Sequence, residues 1–215
     1  MSVKPVVSVD LWGTLIKSSP LFTQEMVDMT KKYFPERSSE EILNAFSVTK
    51  TFFNQMVEST GFQPKNQDLY YFLFSLLNGG YEQHLFYANF YQEYQQLALQ
   101  FKPEVYSSET IEYLQKLSEI ATLQLSSNTM FISGKTLHST LVHHKMDQFF
   151  TKFYFSDQIK CSKPCRFMYG HSDYHIGDKT ITDGTGAKQA GSTPIIINSN
   201  ILTLKDAYDF IAQVR

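Results

Sequence analysis

The carboxylate of Asp10 closes an apolar run, Pro5-Val6-Val7-Ser8-Val9, and is followed at once by Leu11-Trp12-Gly13-Thr14. The apolar run reads as a short buried strand. A carboxylate at the C-terminal end of such a strand, before a Gly-Thr turn, sits where open α/β sheets place their ligands. There it can attack an electrophile, ligate a metal, or do both; the plainer reading is a turn or helix-capping aspartate. Three later stretches also carry chemistry: Leu123-Gln124-Leu125-Ser126-Ser127-Asn128, then Ser162-Lys163-Pro164, then His175-Ile176-Gly177-Asp178 with Asp183 five residues on. Alone, the serine run reads as a turn with a helix cap and Lys163-Pro164 as an exposed turn. The Asp178/Asp183 pair offers oxygen ligands to a hard divalent cation.

In order and character these four stretches resemble the four motifs of the haloacid dehalogenase (HAD) superfamily. The resemblance implies a nucleophilic Asp10 that forms an aspartyl intermediate, with Thr14 steadying its loop. It makes Ser127 the hydroxyl that binds a phosphoryl or equivalent oxyanion, and Lys163 the cation that neutralises nucleophile and bound phosphate. It places Mg2+ on Asp10, on the backbone carbonyl of Trp12 and on Asp178, with Asp183 behind them or as an alternate ligand. One position departs from the pattern. Phosphatases of this superfamily carry a second aspartate two places after the first, where it acts as general acid and base; here that place is Trp12. Any residue supplies a carbonyl, but an indole cannot shuttle a proton, and losing such assistance costs about 10²–10⁴-fold. Three readings follow: a leaving group that needs no proton, acid help from elsewhere, or a catalytically impaired binder. The retained Asp178 favours magnesium chemistry over dehalogenation.

A rival constellation is Cys161, Cys165, His171 and His175, all of them zinc-ligand types. Its central gap is much shorter than in zinc fingers, and Lys163-Pro164 lies inside it. Phosphonate-cleaving relatives use a cap lysine, for which Lys50 is the candidate; dehalogenating relatives use a cap arginine, and Arg37 is the candidate here.

These residues need a scaffold. Candidate strands are Val6–Val9, Thr122–Ser126, Lys152–Phe155, Tyr174–Gly177 and Pro194–Asn198. Helical patterns fit Ser108–Ser118, Ser133–His144, Gly184–Ala190 and Leu204–Val214. This alternation predicts an α/β fold, a mainly parallel sheet covered on both faces. Between its first two strands the chain reads as helices only: Phe22–Phe34, one opened by Ser38-Ser39-Glu40-Glu41, Asp68–Leu77 stopped by Asn78-Gly79-Gly80, and Tyr81–Phe101. The expected division is therefore a three-layer, Rossmann-like core of residues 1–16 and 107–215 with an all-helical cap over 17–106, which is the superfamily's layout. The stretch 164–177 has room for two helical turns at most, less than the superfamily places there.

At 215 residues the chain can bury a sizeable core. Its net charge of -2 gives no footprint for nucleic acid. Two close cysteines make no disulfide framework. The N-terminus lacks a signal-like apolar region, and no apolar run reaches the ~20 residues of a membrane span. The expectation is a cytoplasmic enzyme acting on a small molecule, with no nucleic-acid or membrane partner. Oligomeric state is not legible.

Overall fold

The computed structural model describes residues 4–78, 86–197 and 202–214. A five-stranded parallel sheet forms the centre. It comprises β1 (Val6–Asp10), β4 (Thr122–Ser127), β5 (Phe150–Phe155), β6 (Tyr174–Gly177) and β7 (Thr193–Ile196), in the spatial order β5-β4-β1-β6-β7. The central strand β1 is buried on both faces, so its sequence is a run of valines rather than an alternation. Helices α5 (Thr110–Ile120), α6 (Gly134–His143), the short α7 (Ser156–Ile159) and α8 (Gly186–Gln189), and α9 (Leu204–Gln213) complete this part of the chain. Val7, Val9, Leu114, Leu117, Leu123, Leu125, Ile176 and Ile211 share one apolar cluster. The expected five strands and their helices are all present, with ends shifted by at most two residues. Asn198, the expected end of the last strand, lies outside the described residues.

The chain leaves this unit through β2 (Ile16–Lys17) and returns through β3 (Glu104–Val105). The two pair antiparallel, Ile16 opposite Val105 and Lys17 opposite Glu104. Two-residue strands carry too little pattern to be read from sequence. Between them run α1 (Pro20–Tyr33), α2 (Ser39–Thr60), α3 (Asn66–Asn78) and α4 (Tyr87–Gln100). No strand occurs between Pro20 and Gln100 among the described residues, although Phe62 makes an isolated bridge to Cys161. Helix α2 starts at a capping box: Ser38 Oγ accepts the Glu41 N–H, and a Glu41 carboxylate oxygen accepts the Ser38 N–H at 2.8 Å. It ends on Gly61 at φ 67°, a conformation that glycine adopts without steric cost. Gly79, Gly80 and the 81–85 start expected for α4 lie outside the described residues.

These four helices bury a second apolar cluster, rich in aromatic rings, around Phe34, Tyr70, Phe74 and Phe90. Phe131, from the loop after β4, inserts into it. Polar groups fasten the same loop: Tyr70 Oη and Gln95 Nε2 both donate to the Phe131 carbonyl, at 2.9 and 2.8 Å. Gln95 Oε1 accepts from Ser133 N–H and Thr136 Oγ1. No described helix is long and apolar enough to cross a membrane.

Candidate active site

The order of the strands puts a crevice at the carboxyl end of β1, where the chain turns to β4 on one side and β6 on the other. Asp10 is the last residue of β1, paired with Ser126, and only 6% exposed. Gly13 follows at φ 79°; a Cβ there would lie 2.4 Å from an Asp178 carboxylate oxygen, so only glycine leaves room for Asp178 at this turn. Beyond β6, a wide π-type turn over Thr180–Thr185 carries Asp183 back against Gly177, where a Cβ would again collide with the carboxylate.

Lys163 arrives from the loop after β5. Its buried ammonium donates to Asp10 Oδ1 at 2.5 Å and to Asp183 Oδ1 at 2.6 Å. Its backbone is held by Asn128, whose amide accepts the Lys163 N–H at 2.7 Å and donates to the Lys163 carbonyl at 3.0 Å. The adjacent Ser162 is tied from the other side: its N–H donates to the Gly61 carbonyl and its hydroxyl to Gln63. Between Lys163 and β6 there is one 3-10 turn, Arg166–Tyr169, in keeping with the short stretch expected there.

One ammonium therefore serves two carboxylates, and they respond oppositely. Burial works to raise Asp183, but Lys163 and His175 overcome it and hold the carboxyl well below its ordinary range. His175 Nε2 lies 3.0 Å from Asp183 Oδ1, and the Lys179 N–H donates to Oδ2 at 2.9 Å. Asp10 has only Lys163. Burial dominates there, the charges of Asp183 and Asp178 add to it, and the carboxyl is pushed up to about 7. Burial also raises Asp178, with Asp183 contributing. Burial works against the charge on Lys163, yet Asp10 and Asp183 keep it above the ordinary lysine value. Burial lowers His175, which suits a neutral ring donating from Nε2 to an ionised Asp183.

Asp10, Asp178 and Asp183 bring one carboxylate oxygen each to within 4.8 Å of one another, and theirs is the only such cluster of potential ligands among the described residues. Three clustered carboxylates, two of them bound to one ammonium, leave an excess of negative charge that a divalent cation would balance. An all-oxygen donor set with room for water suits a hard cation such as magnesium. The rival zinc arrangement does not assemble: Cys161 and Cys165 are free thiols, and His175 faces Asp183 from inside the sheet.

The cluster opens into a cavity of about 640 Å³ roofed by α1, α2 and α4. Trp12 lines it beside Asp10, and Asn128, Lys163, Asp178 and Asp183 lie on the same floor. Thr14 and Ser127 do not line it. Both are buried; the Thr14 hydroxyl has no partner among the described residues, and Ser127 Oγ makes a 3.4 Å contact with the Asn128 carbonyl. Lys50 is on the cavity wall. Arg37 is not: its guanidinium binds the Leu77 carbonyl and Glu41. Asn128 and His175 are positioning residues whose roles sequence reading missed. Asn128 appeared only as a neighbour of Ser127, and His175 only as a metal-ligand type.

No protein-family model matches the sequence, and no curated protein matches it. Solved structures do. The HAD-type protein YfnB from Bacillus subtilis, bound to magnesium, superposes with a TM-score of 0.71 at 15% identity, over 98% of this chain and 100% of that one. A 2-haloacid dehalogenase from Pseudomonas syringae pv. Tomato DC3000 gives 0.69 at 16%, over 99% and 100%. An HAD phosphatase from Thermococcus onnurineus gives 0.62 at 19%, over 97% and 98%. The chain thus has the fold of the haloacid dehalogenase superfamily, in the form that inserts helices after the first strand of the sheet.

Proposed function

We propose that the chain is an HAD-superfamily hydrolase, magnesium-dependent, acting on a small phosphorylated or phosphonate-like metabolite. The observation that carries this reading is the cluster of three aspartates at the floor of the cavity, two of them bound to the buried ammonium of Lys163. In this reading residues 1–16 and 107–215 form the catalytic core and 17–106 its cap, the protein is cytoplasmic, and its substrate is a small molecule.

Asp10 attacks phosphorus through a carboxylate oxygen as the bond to the leaving oxygen breaks. Water then attacks the aspartyl phosphate, releasing inorganic phosphate and restoring Asp10. Lys163 offsets charge on Asp10 and on the transferred group. Asp183, fixed by His175 and the Lys179 N–H, keeps Lys163 in place. Asp10, Asp178 and the Trp12 carbonyl would hold magnesium, with Asp183 as alternate ligand, and the ion would supply Lewis-acid charge at the group under attack. The family resemblance gives Ser127 the oxyanion and Thr14 the steadying of the loop that carries Trp12 and Gly13; Ser127 would have to turn its hydroxyl from the Asn128 carbonyl towards the cavity to serve there.

Trp12 favours a second reading, a ligand-binding member with impaired catalysis, because the indole at this position cannot protonate a poor leaving group as the superfamily's second aspartate does. The deciding experiment assays phenyl phosphate, an alkyl phosphate and 2-chloropropionate, with and without magnesium, using wild type and Asp10→Asn. The expected result is magnesium-dependent phosphate release, fastest from phenyl phosphate and abolished in Asp10→Asn. Chloride release without magnesium would make the protein a dehalogenase. Binding without turnover would make it a binder.

A further inference from the structure

Four lysines line the cavity, and three have a carboxylate partner. Lys163 binds Asp10 and Asp183, Lys179 lies 3.5 Å from Glu58, and Lys17 lies 3.9 Å from Glu104. Lys50 has neither an ion pair nor a hydrogen bond among the described residues. It belongs to the stripe of α2 that faces the cavity: Leu43, Phe46, Lys50, Asn54 and Val57 recur at three- and four-residue spacing.

The same helix sets the distance from Lys50 to the reacting end. Glu58, at its far end, meets Lys179, the neighbour of Asp178. Eight residues of α-helix separate Glu58 from Lys50, about 12 Å of rise. Apolar side chains cover the wall near Lys50, chiefly Phe46, Met26, Tyr94 and Phe131. The cavity is therefore acidic at its floor and apolar along its side, and its one unpaired lysine among the described residues stands about 12 Å along α2 from the residue that meets Lys179. Lys50 is exposed at the cavity wall, and a ligand that brings the opposite charge against it gains an attraction that an uncharged one does not. A single lysine matches one negative charge, which fits a carboxylate better than a phosphate dianion.

We propose that the cavity takes a phosphate ester with an apolar body about one aromatic ring in length and a distal carboxylate, and that Lys50 binds this carboxylate. The proposal rests on the phosphate-ester reading above for the reacting end only. Binding is tested with 4-(carboxymethyl)benzylphosphonate and its methyl ester, which share shape but not the distal charge. Trp12, the only tryptophan, lines the cavity, so its fluorescence reports occupancy. Titrations in magnesium use wild type, Lys50→Met and Lys50→Arg, and the corresponding aryl phosphates are assayed for phosphate release. The expected result is that wild type binds the acid about tenfold more tightly than the ester, as one charged contact allows. The preference should vanish in Lys50→Met and persist in Lys50→Arg. Equal affinity for acid and ester in wild type, or a preference that survives in Lys50→Met, overturns the proposal. Preference for the acid without phosphate release from either ester keeps the carboxylate site and rejects the hydrolase reading. Failure of both phosphonates to bind rejects both.

Discussion

Trp12 stands beside Asp10 and cannot supply a proton, so on the proposed hydrolase reading chemistry at this site depends on the leaving group. Trp12→Asp should raise turnover of an alkyl phosphate by up to about 10²–10⁴-fold, and that of an aryl phosphate much less, because a phenolate leaves without an acid. Steady-state phosphate release from both esters checks this. No gain on the alkyl ester in a folded variant would remove Trp12 as the limiting defect. Asp178 is the aspartate of the cluster most open to solvent and has no ammonium bound to it. Asp178→Asn should therefore weaken magnesium binding with little loss of stability, and calorimetric titration reads the difference. Equal affinity in variant and wild type would take Asp178 out of the ligand set. Lys163 is the opposite case. Lys163→Met strands two buried carboxylates and should cost about 3–5 kcal/mol, the usual penalty for breaking a buried ion pair from one side. Urea unfolding measures it.

At the scale of elements, the loop after β4 ties the sheet to the helical insertion. Phe131 fills the aromatic cluster of the helices while Tyr70 and Gln95 satisfy its carbonyl, and Gln95 also receives Ser133 and Thr136. Gln95→Leu keeps most of the volume but leaves buried donors unpaired. It should destabilise by about 1–3 kcal/mol and speed amide exchange at Ser133, which loses its acceptor. Denaturant unfolding and hydrogen exchange check the two effects. Unchanged exchange at Ser133 would mean that Phe131 packing alone holds the loop. The pairing of Ile16–Lys17 with Glu104–Val105 brings the two ends of the insertion together, so all four helices hang from one two-stranded ladder.

At the scale of the molecule, the charge imbalance at the sheet's edge predicts how stability follows pH. In the metal-free protein the folded-state pKa of Asp10, about 7, lies above its ordinary value near 4. The folded state thus holds a proton that the unfolded chain releases. The contribution of Asp10 is fully present below pH 4 and is lost as pH rises to about 7. Asp183, held below its ordinary range, acts the other way, and its contribution is lost only at lower pH. Thermal unfolding without magnesium should therefore show a Tm that falls between about pH 4 and pH 7, and Asp10→Asn should flatten that slope. A slope unchanged in Asp10→Asn would place its origin elsewhere.

The sequence by itself determined the elements and their order. An apolar run without alternation marked β1 as a short buried strand, Ser38 and Glu41 marked the start of α2, and the ordered stretches at Asp10, Ser127, Lys163 and Asp178/Asp183 pointed to the fold that the superposed structures share. Those signals are legible because backbone preference, capping and burial act over a few residues. Only the tertiary structure decided what those residues touch. Sequence spacing could not show that Lys163 bridges Asp10 and Asp183, that His175 braces Asp183 rather than joining Cys161 and Cys165, or that Asn128 and not Ser127 lines the cavity. Nor could it pick Lys50 over Arg37 as the cation facing the cavity, or reveal the hold of Gln95 on Phe131. Most of these contacts join segments far apart in the chain, and the nearer one, His175 with Asp183, depends on the path of the turn between them. Their partners are set by strand register, loop path and the packing of α2 and α4 over the sheet, which no local pattern of residues encodes.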